Sequence, residues 1–123
     1  NTNLKCLSYN DPAIITCFSN DFKYENWVAR SIIKYGRKDD IVILISSSGK
    51  SKNMLRASLA AKKKSIKIIT LTGMHKNNPL RKSGNINLWV NSNAYNFIEN
   101  IHQIWLLSIV DSIIGKKIYS SNR

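Results

Sequence analysis

At 123 residues with 43% hydrophobic side chains, the chain has single-domain length and is too apolar for a disordered polypeptide. Nineteen Lys and Arg against seven Asp and Glu give a formal charge of +12, a balance that favours anionic partners such as nucleic acid, acidic lipid or phosphorylated metabolites. The cations are scattered, however, and the run at 62–64 falls where a helix should end and its dipole favours positive charge, so nucleic acid is not an expected partner.

Residues 4–9 have the mixed pattern of a short strand, closed by Asn10, Asp11 and Pro12. Pro12 suits the first position of a helix, where its missing N–H costs nothing. Residues 13–18 then read as one or two helical turns, with Ile14, Ile15 and Thr16 leaving strand open. Ser19, Asn20 and Asp21 form a polar break. Tyr24, Trp27, Val28, Ile32 and Tyr35 recur at the three-and-four spacing of one helix face, and Gly36 follows as a left-handed cap. Residues 41–45 are five consecutive Ile, Val or Leu; so short an apolar run without alternation predicts a strand buried on both faces, as in a parallel sheet. After it, Met54, Leu55 and Leu59, with Ala57, Ala60 and Ala61, predict a helix with a slim buried face. Residues 66–71 are a second solid strand, 74–84 an irregular loop, and 85–91 a third strand. Residues 96–114 form an apolar helix, expected to be largely buried or packed on a neighbouring subunit and closed by Gly115; residues 116–123 are a basic tail. Alternating strands and helices imply βαβ units: an α/β protein with an open parallel sheet flanked by helices.

Cys6 and Cys17 lie in apolar, strand-like surroundings without a CxxC pattern and are expected as buried thiols rather than a disulfide or metal pair. No uninterrupted apolar run approaches the roughly 20 residues of a membrane span, and residues 1–5 are too polar for a signal peptide. No membrane partner and a cytoplasmic location are therefore expected. The first residue is Asn1 rather than Met, which suggests a piece of a longer protein.

The most informative stretch is the hydroxyl-rich turn Ser46, Ser47, Ser48, Gly49, Lys50, Ser51 between the apolar strand and the following helix. Ligands of parallel α/β sheets sit beyond the carboxyl ends of the strands. A helix N-terminus there offers unpaired N–H groups and positive dipole potential to a phosphate. A triphosphate loop is excluded, because the Gly required five positions before Gly49 is Leu44. The dinucleotide fingerprint G-x-G-x-x-G is also absent. Four serines suit a monophosphate; a capped and solvated loop is the alternative.

The stretch Ile45-Ser46-Ser47-Ser48-Gly49-Lys50-Ser51, with Asp40 before the strand and Ile68-Ile69-Thr70-Leu71-Thr72-Gly73 after the helix, resembles a SIS (sugar isomerase) domain of the phosphoheptose isomerase branch. Ser19-Asn20-Asp21-Phe22-Lys23-Tyr24-Glu25 is similar to that branch's Gly-Asn-Asp-Phe-Gly-Tyr-Glu, and Ile98-Glu99-Asn100-Ile101-His102 to its Ile-Gln-Glu-Ile-His. The resemblance implies a partial SIS domain over 1–115, of flavodoxin-like doubly wound architecture with its N-terminal part missing, and the basic tail over 116–123. It implies that Ser46, Ser47, Ser48 and Ser51 hold the phosphate of a sugar phosphate and that Asp21 lies near the sugar. It also implies aldose–ketose isomerisation of sedoheptulose 7-phosphate to a heptose 7-phosphate, in surface polysaccharide synthesis, by a homodimer or homotetramer.

The family's opening helices, first strand, Gly-Asn-Gly-Gly-Ser loop and the helix with its catalytic Glu are not in this chain. At the positions of the family's Gln and His on the last helix stand Glu99 and Leu107, and Leu107 cannot transfer a proton. Glu99 and His102 are the remaining acid–base candidates; His75 has no evident partner, and neither zinc nor another cofactor is expected. The loss of the His motivates an alternative: a non-catalytic sugar-phosphate sensor, or an interaction module of the kind that binds a replication initiator in some relatives.

Overall fold

The structure is a computed structural model and describes residues 4–115; the basic tail lies outside the described residues. The first helix, α1 (Pro12–Phe22), has Pro12 at its first position and is capped by Asp11, whose Oδ1 accepts from the N–H of Ala13 at 2.9 Å and of Ile14 at 3.2 Å. It runs through the expected polar break, taking in Ser19, Asn20 and Asp21. Such residues inside a helix cost only tenths of a kcal/mol each, and the added turn sets Phe18 edge-on to Phe22 at 6.2 Å. The helix stops at Lys23, whose φ of 70° and ψ of 147° are not helical. The helix expected from Tyr24 begins instead as a 3-10 turn (Tyr24–Asn26) and continues as α2 (Trp27–Tyr35).

Gly36 ends α2, but not in the expected left-handed conformation: φ is −70° and ψ 143°. Glycine is required there by closeness, since a Cβ would lie 2.7 Å from the Ile32 carbonyl oxygen and 2.8 Å from Ile66 Cδ1.

Three parallel strands, β1 (Ile41–Ser46), β2 (Lys67–Thr72) and β3 (Ile86–Trp89), pair in the order β1-β2-β3, with Leu44 beside Thr70 and Thr70 beside Asn87. Helix α3 (Lys52–Lys63) joins β1 to β2, an irregular segment with a 3-10 turn (Arg81–Ser83) joins β2 to β3, and α4 (Tyr95–Ile114) follows. The expected α/β class with a helix-flanked parallel sheet is what the chain adopts. Leu44 and Ile68 of the sheet pack with Val28, Ala29 and Ile32 of α2 and Ala57, Ala60 and Ala61 of α3. The alanines bring α3 close to the sheet, while Leu59, expected on the buried face, points outward. At the end of α3, Lys64 donates from Nζ to the Ile33 carbonyl at 2.7 Å, tying the helix to α2.

Several expectations are corrected. Strand β1 is buried on one face only: Leu44 and Ser46 are buried, whereas Ile41, Ile43 and Ile45 are 64%, 38% and 42% exposed. It is an edge strand, and α4 lies toward the β2–β3 side, where Ile98 abuts Gly73 and where Trp105 and Ile109 line an apolar groove of about 420 Å³ with Leu88. Helix α4 is itself mostly uncovered, with Ile98 and His102 buried and Phe97, Ile104, Leu107 and Val110 exposed. By length and composition alone it would pass for a membrane span, although no uninterrupted apolar run suggested one. Residues 4–9 form no strand: among the described residues β1 pairs with β2 alone, and Leu4 and Leu7 stay exposed. Cys6 and Cys17, expected as buried, are exposed free thiols, because neither the 4–9 segment nor that side of α1 is packed against the core. Gly115 closes α4 as expected, left-handed at φ 73° with its N–H on the Asp111 carbonyl at 2.9 Å.

Candidate functional site

Parallel pairing puts the carboxyl ends of all three strands on one edge, and the serine turn leaves β1 at that edge. The turn closes on itself. The N–H of Gly49 is shared by the carbonyl of Ser46 at 3.0 Å and its Oγ at 3.2 Å, and Lys50 N–H donates to Ser48 Oγ at 3.2 Å. Gly49 turns the chain at φ 63°, where an L side chain is strained. Ser46 Oγ and Ser51 Oγ lie 3.0 Å apart, bridging the two ends of the turn. Ser51 is then the N-cap of α3 through its backbone, its carbonyl accepting from Met54 and Leu55 N–H at 3.1 and 3.0 Å. The first N–H groups of α3 have no carbonyl within the helix to bond.

The four serines divide by position. Ser46 is buried at 6% exposure and committed to bonds within the turn, whereas Ser47 and Ser48 are half-buried and Ser51 is exposed. Ser51 opens, with Lys52 and Asn53, onto a cleft of about 610 Å³ whose other wall is Lys23, Tyr24 and Glu25. Glu25 is paired with Arg56 of α3, so its charge is largely neutralised, and among the described residues neither lysine of the cleft has an ion-pair partner. Asp21 is exposed in the last turn of α1, two residues before Lys23, and its Oδ1 accepts from Asn20 Nδ2 at 3.1 Å.

On the other side of the turn, Ser47 Oγ donates to Glu99 Oε1 of α4 at 3.3 Å, across 52 residues of sequence. Glu99 is exposed beside the loop, while His102, one turn on, is 3% exposed with Nε2 3.2 Å from the Thr72 carbonyl and Nδ1 without a partner among the described residues. Leu107 is half exposed further along the helix. His75 is exposed in the β2–β3 connection. Among the described residues no three His, Cys, Asp or Glu side chains gather as a metal donor set.

Three contributors had no clear sequence signal. Lys52 read only as scattered charge, and Lys23 only as the residue standing at a Gly of the similar family stretch. Asn78 sat among Asn77 and Pro79 as a turn residue, yet it is 1% exposed and lies against Gly49. Only an unusual demand, a buried amide in a loop, distinguishes it, and that demand is tertiary.

The model of the SIS domain matches residues 18–107. Among curated proteins, the chain is 31% identical over 103 residues to the phosphoheptose isomerase of Sodalis glossinidius (strain morsitans), covering 84% of this chain and 52% of that protein. It is 45% identical over 67 residues to the phosphoheptose isomerase of Glaesserella parasuis serovar 5 (strain SH0165), covering 54% of this chain and 35% of the relative. The chain thus spans about a third to a half of the length of these relatives. Its structure is similar to that of a phosphoheptose isomerase from Francisella tularensis, with a TM-score of 0.81 and 31% identity over 87% of this chain and 57% of the other. A phosphoheptose isomerase from Neisseria gonorrhoeae shares the fold at a TM-score of 0.80 and 24% identity, covering 85% of this chain and 59% of that one.

Proposed function

We propose that this chain, which belongs to the SIS-domain family, holds the phosphate of a phosphorylated sugar on its 46–51 turn and forms part of a phosphoheptose isomerase. The observation that carries this reading is the turn itself. Gly49 at φ 63° folds the serines back at the start of α3, where hydroxyls, N–H groups of the first helical turn and the helix dipole together suit an anion. Lys23 and Lys52 add positive potential from the cleft. The partial domain covers 1–115, and the reaction is conversion of sedoheptulose 7-phosphate to a heptose 7-phosphate in the cytoplasm, for surface polysaccharide, within a homodimer or homotetramer.

In this reading Ser47, Ser48 and Ser51 contact the phosphate, Ser46 braces the turn from below, and Asp21 serves the sugar end. Isomerisation takes a proton from C1 of the ketose and returns it to C2 through an enediol. Glu99, at the position of the family's Gln and exposed beside the turn, is the candidate carboxylate for that proton transfer. His102 holds α4 at the end of β2 through the Thr72 carbonyl.

The test is an assay of the intact protein with sedoheptulose 7-phosphate, beside binding of the same ligand to the Ser48→Ala, Ser51→Ala double variant. The expected result is an aldose product, with affinity lowered about tenfold or more in the variant while the fold stays intact, as for two lost hydrogen bonds to a charged group. Unchanged affinity sinks the loop assignment. Tight binding without product leaves the sensor or interaction module, for which Leu107 at the expected His position is the motive.

A further inference from the structure

We infer that Asn78 is a positioning residue for the phosphate turn, an inference that rests on the reading of residues 46–51 as an anion cradle. Apart from Ser47 Oγ on Glu99, the side-chain hydrogen bonds that shape the turn are local, between residues at most five apart. Two backbone bonds connect it to the segment between β2 and β3: Gly73 N–H donates to the Ser47 carbonyl at 2.9 Å, and Leu80 N–H to the Gly49 carbonyl at 3.1 Å. Asn78 stands between these two anchors. Its Nδ2 donates to the carbonyls of Gly73 at 3.3 Å and His75 at 2.9 Å, and its Oδ1 accepts from Arg81 N–H at 2.8 Å. One amide therefore fixes the distance between the two points from which the turn hangs.

The same side chain forms the floor under Gly49. A Cβ on Gly49 would meet Asn78 Oδ1 at 1.9 Å, Cγ at 2.2 Å and Cβ at 2.8 Å, so the amide fills the space where any larger residue would stand. The glycine in its left-handed conformation and the buried amide are a fitted pair. No other side chain meets all the demands. Aspartate has the shape but cannot donate to two carbonyls, and leucine has the volume but would strip the side-chain partner from the Gly73 carbonyl and the Arg81 N–H, leaving the His75 carbonyl only the backbone N–H of residue 78.

A residue that acts through the turn should affect how well the phosphate is held and leave proton transfer at saturation alone. In the intact protein, Asn78→Ala is expected to raise KM for sedoheptulose 7-phosphate about tenfold and the inhibition constant of inorganic phosphate by a similar factor. The kcat at saturation should stay within about twofold. Ile32→Ala, a core variant remote from the turn, should lower stability without moving KM, which separates positioning from general destabilisation. Asn78→Ser, which keeps a hydroxyl donor, serves if the alanine variant does not fold and should fall between alanine and wild type.

Hydrogen exchange gives a readout that needs no substrate. The Gly49 and Leu80 amides should exchange at least about tenfold faster in Asn78→Ala relative to the rest of the sheet, and not in Ile32→Ala. Wild-type protein that neither binds nor converts the sugar phosphate would overturn the proposed function, while exchange would still decide the role of Asn78. Unchanged Gly49 and Leu80 exchange overturns the positioning role, as does an unchanged KM in a protein that does bind the sugar phosphate.

Discussion

Replacing Lys23 by glycine should stabilise the protein. Lys23 sits at φ 70° and ψ 147°, a region that is nearly glycine-only, and holding a residue with a Cβ there costs on the order of 1–3 kcal/mol. Glycine removes that strain but loses more chain entropy on folding, an opposing cost of about 0.5–1 kcal/mol. Among the described residues the Lys23 ammonium has no ion-pair partner, so little else is lost. The expected net gain is up to about 2.5 kcal/mol, or up to roughly 10 °C in Tm for a domain of this size. Urea melts followed by far-UV circular dichroism, with the midpoint compared at constant slope, would measure it. Lys23→Ala is the informative control, because it shortens the side chain but keeps the Cβ and should gain nothing. A less stable glycine variant, or an alanine variant that gains as much, would refute the strain argument.

The two faces of β1 should respond differently to truncation. Leu44→Ala, at a position 2% exposed, is expected to cost about 2–5 kcal/mol, and Ile41→Ala, at 64% exposed, no more than about 0.5 kcal/mol. Comparable losses at both positions in denaturant melts would mean that the second face is covered in solution. Tyr9 supplies a pH test. Its partial burial, then Asp40 and Tyr35 nearby, push the phenol above its ordinary value of 10.0, and its ring stacks on Tyr35 at 5.6 Å. The folded pKa therefore exceeds the unfolded one. The associated stability is complete below about pH 10 and is lost as pH rises through the folded value. Tyr9→Phe should flatten that alkaline loss in melts across pH, and an unchanged alkaline limb would count against the Tyr9 contribution.

What the sequence revealed and what it hid divide along local and non-local physics. The strand–turn–helix around Gly49 was legible because an apolar run, a hydroxyl cluster and a helical repeat are each written in neighbouring residues. So were Pro12 at a helix start and Gly115 at a helix end. The one-sided burial of residues 41–45 was not, because five apolar side chains in a row cannot say which face has a cover; the position of α4 decides that. Residues 4–9 carry strand-like side chains, but pairing needs a neighbouring edge that the pattern cannot supply. Within the site, the serines could be named from the turn alone. The Ser47–Glu99 bond and the seat of Asn78 beneath Gly49 depend on contacts 52 and 29 positions apart in the chain.

The edge position of β1 also bears on how the protein gains its fold. Among the described residues its only partner in the sheet is β2, and the residues from Ile41 to Ile45 carry no charge among them. Asp39 and Asp40 before the strand and Lys50 after it are the nearest gatekeepers, placed at its ends and not along its free rim. Before β2 has docked, that strand can meet the same strand of another molecule as readily as its own neighbour. The first encounter is independent of concentration and the second grows with it. The yield of refolded protein should therefore fall steeply as the chain is diluted out of denaturant at rising concentration.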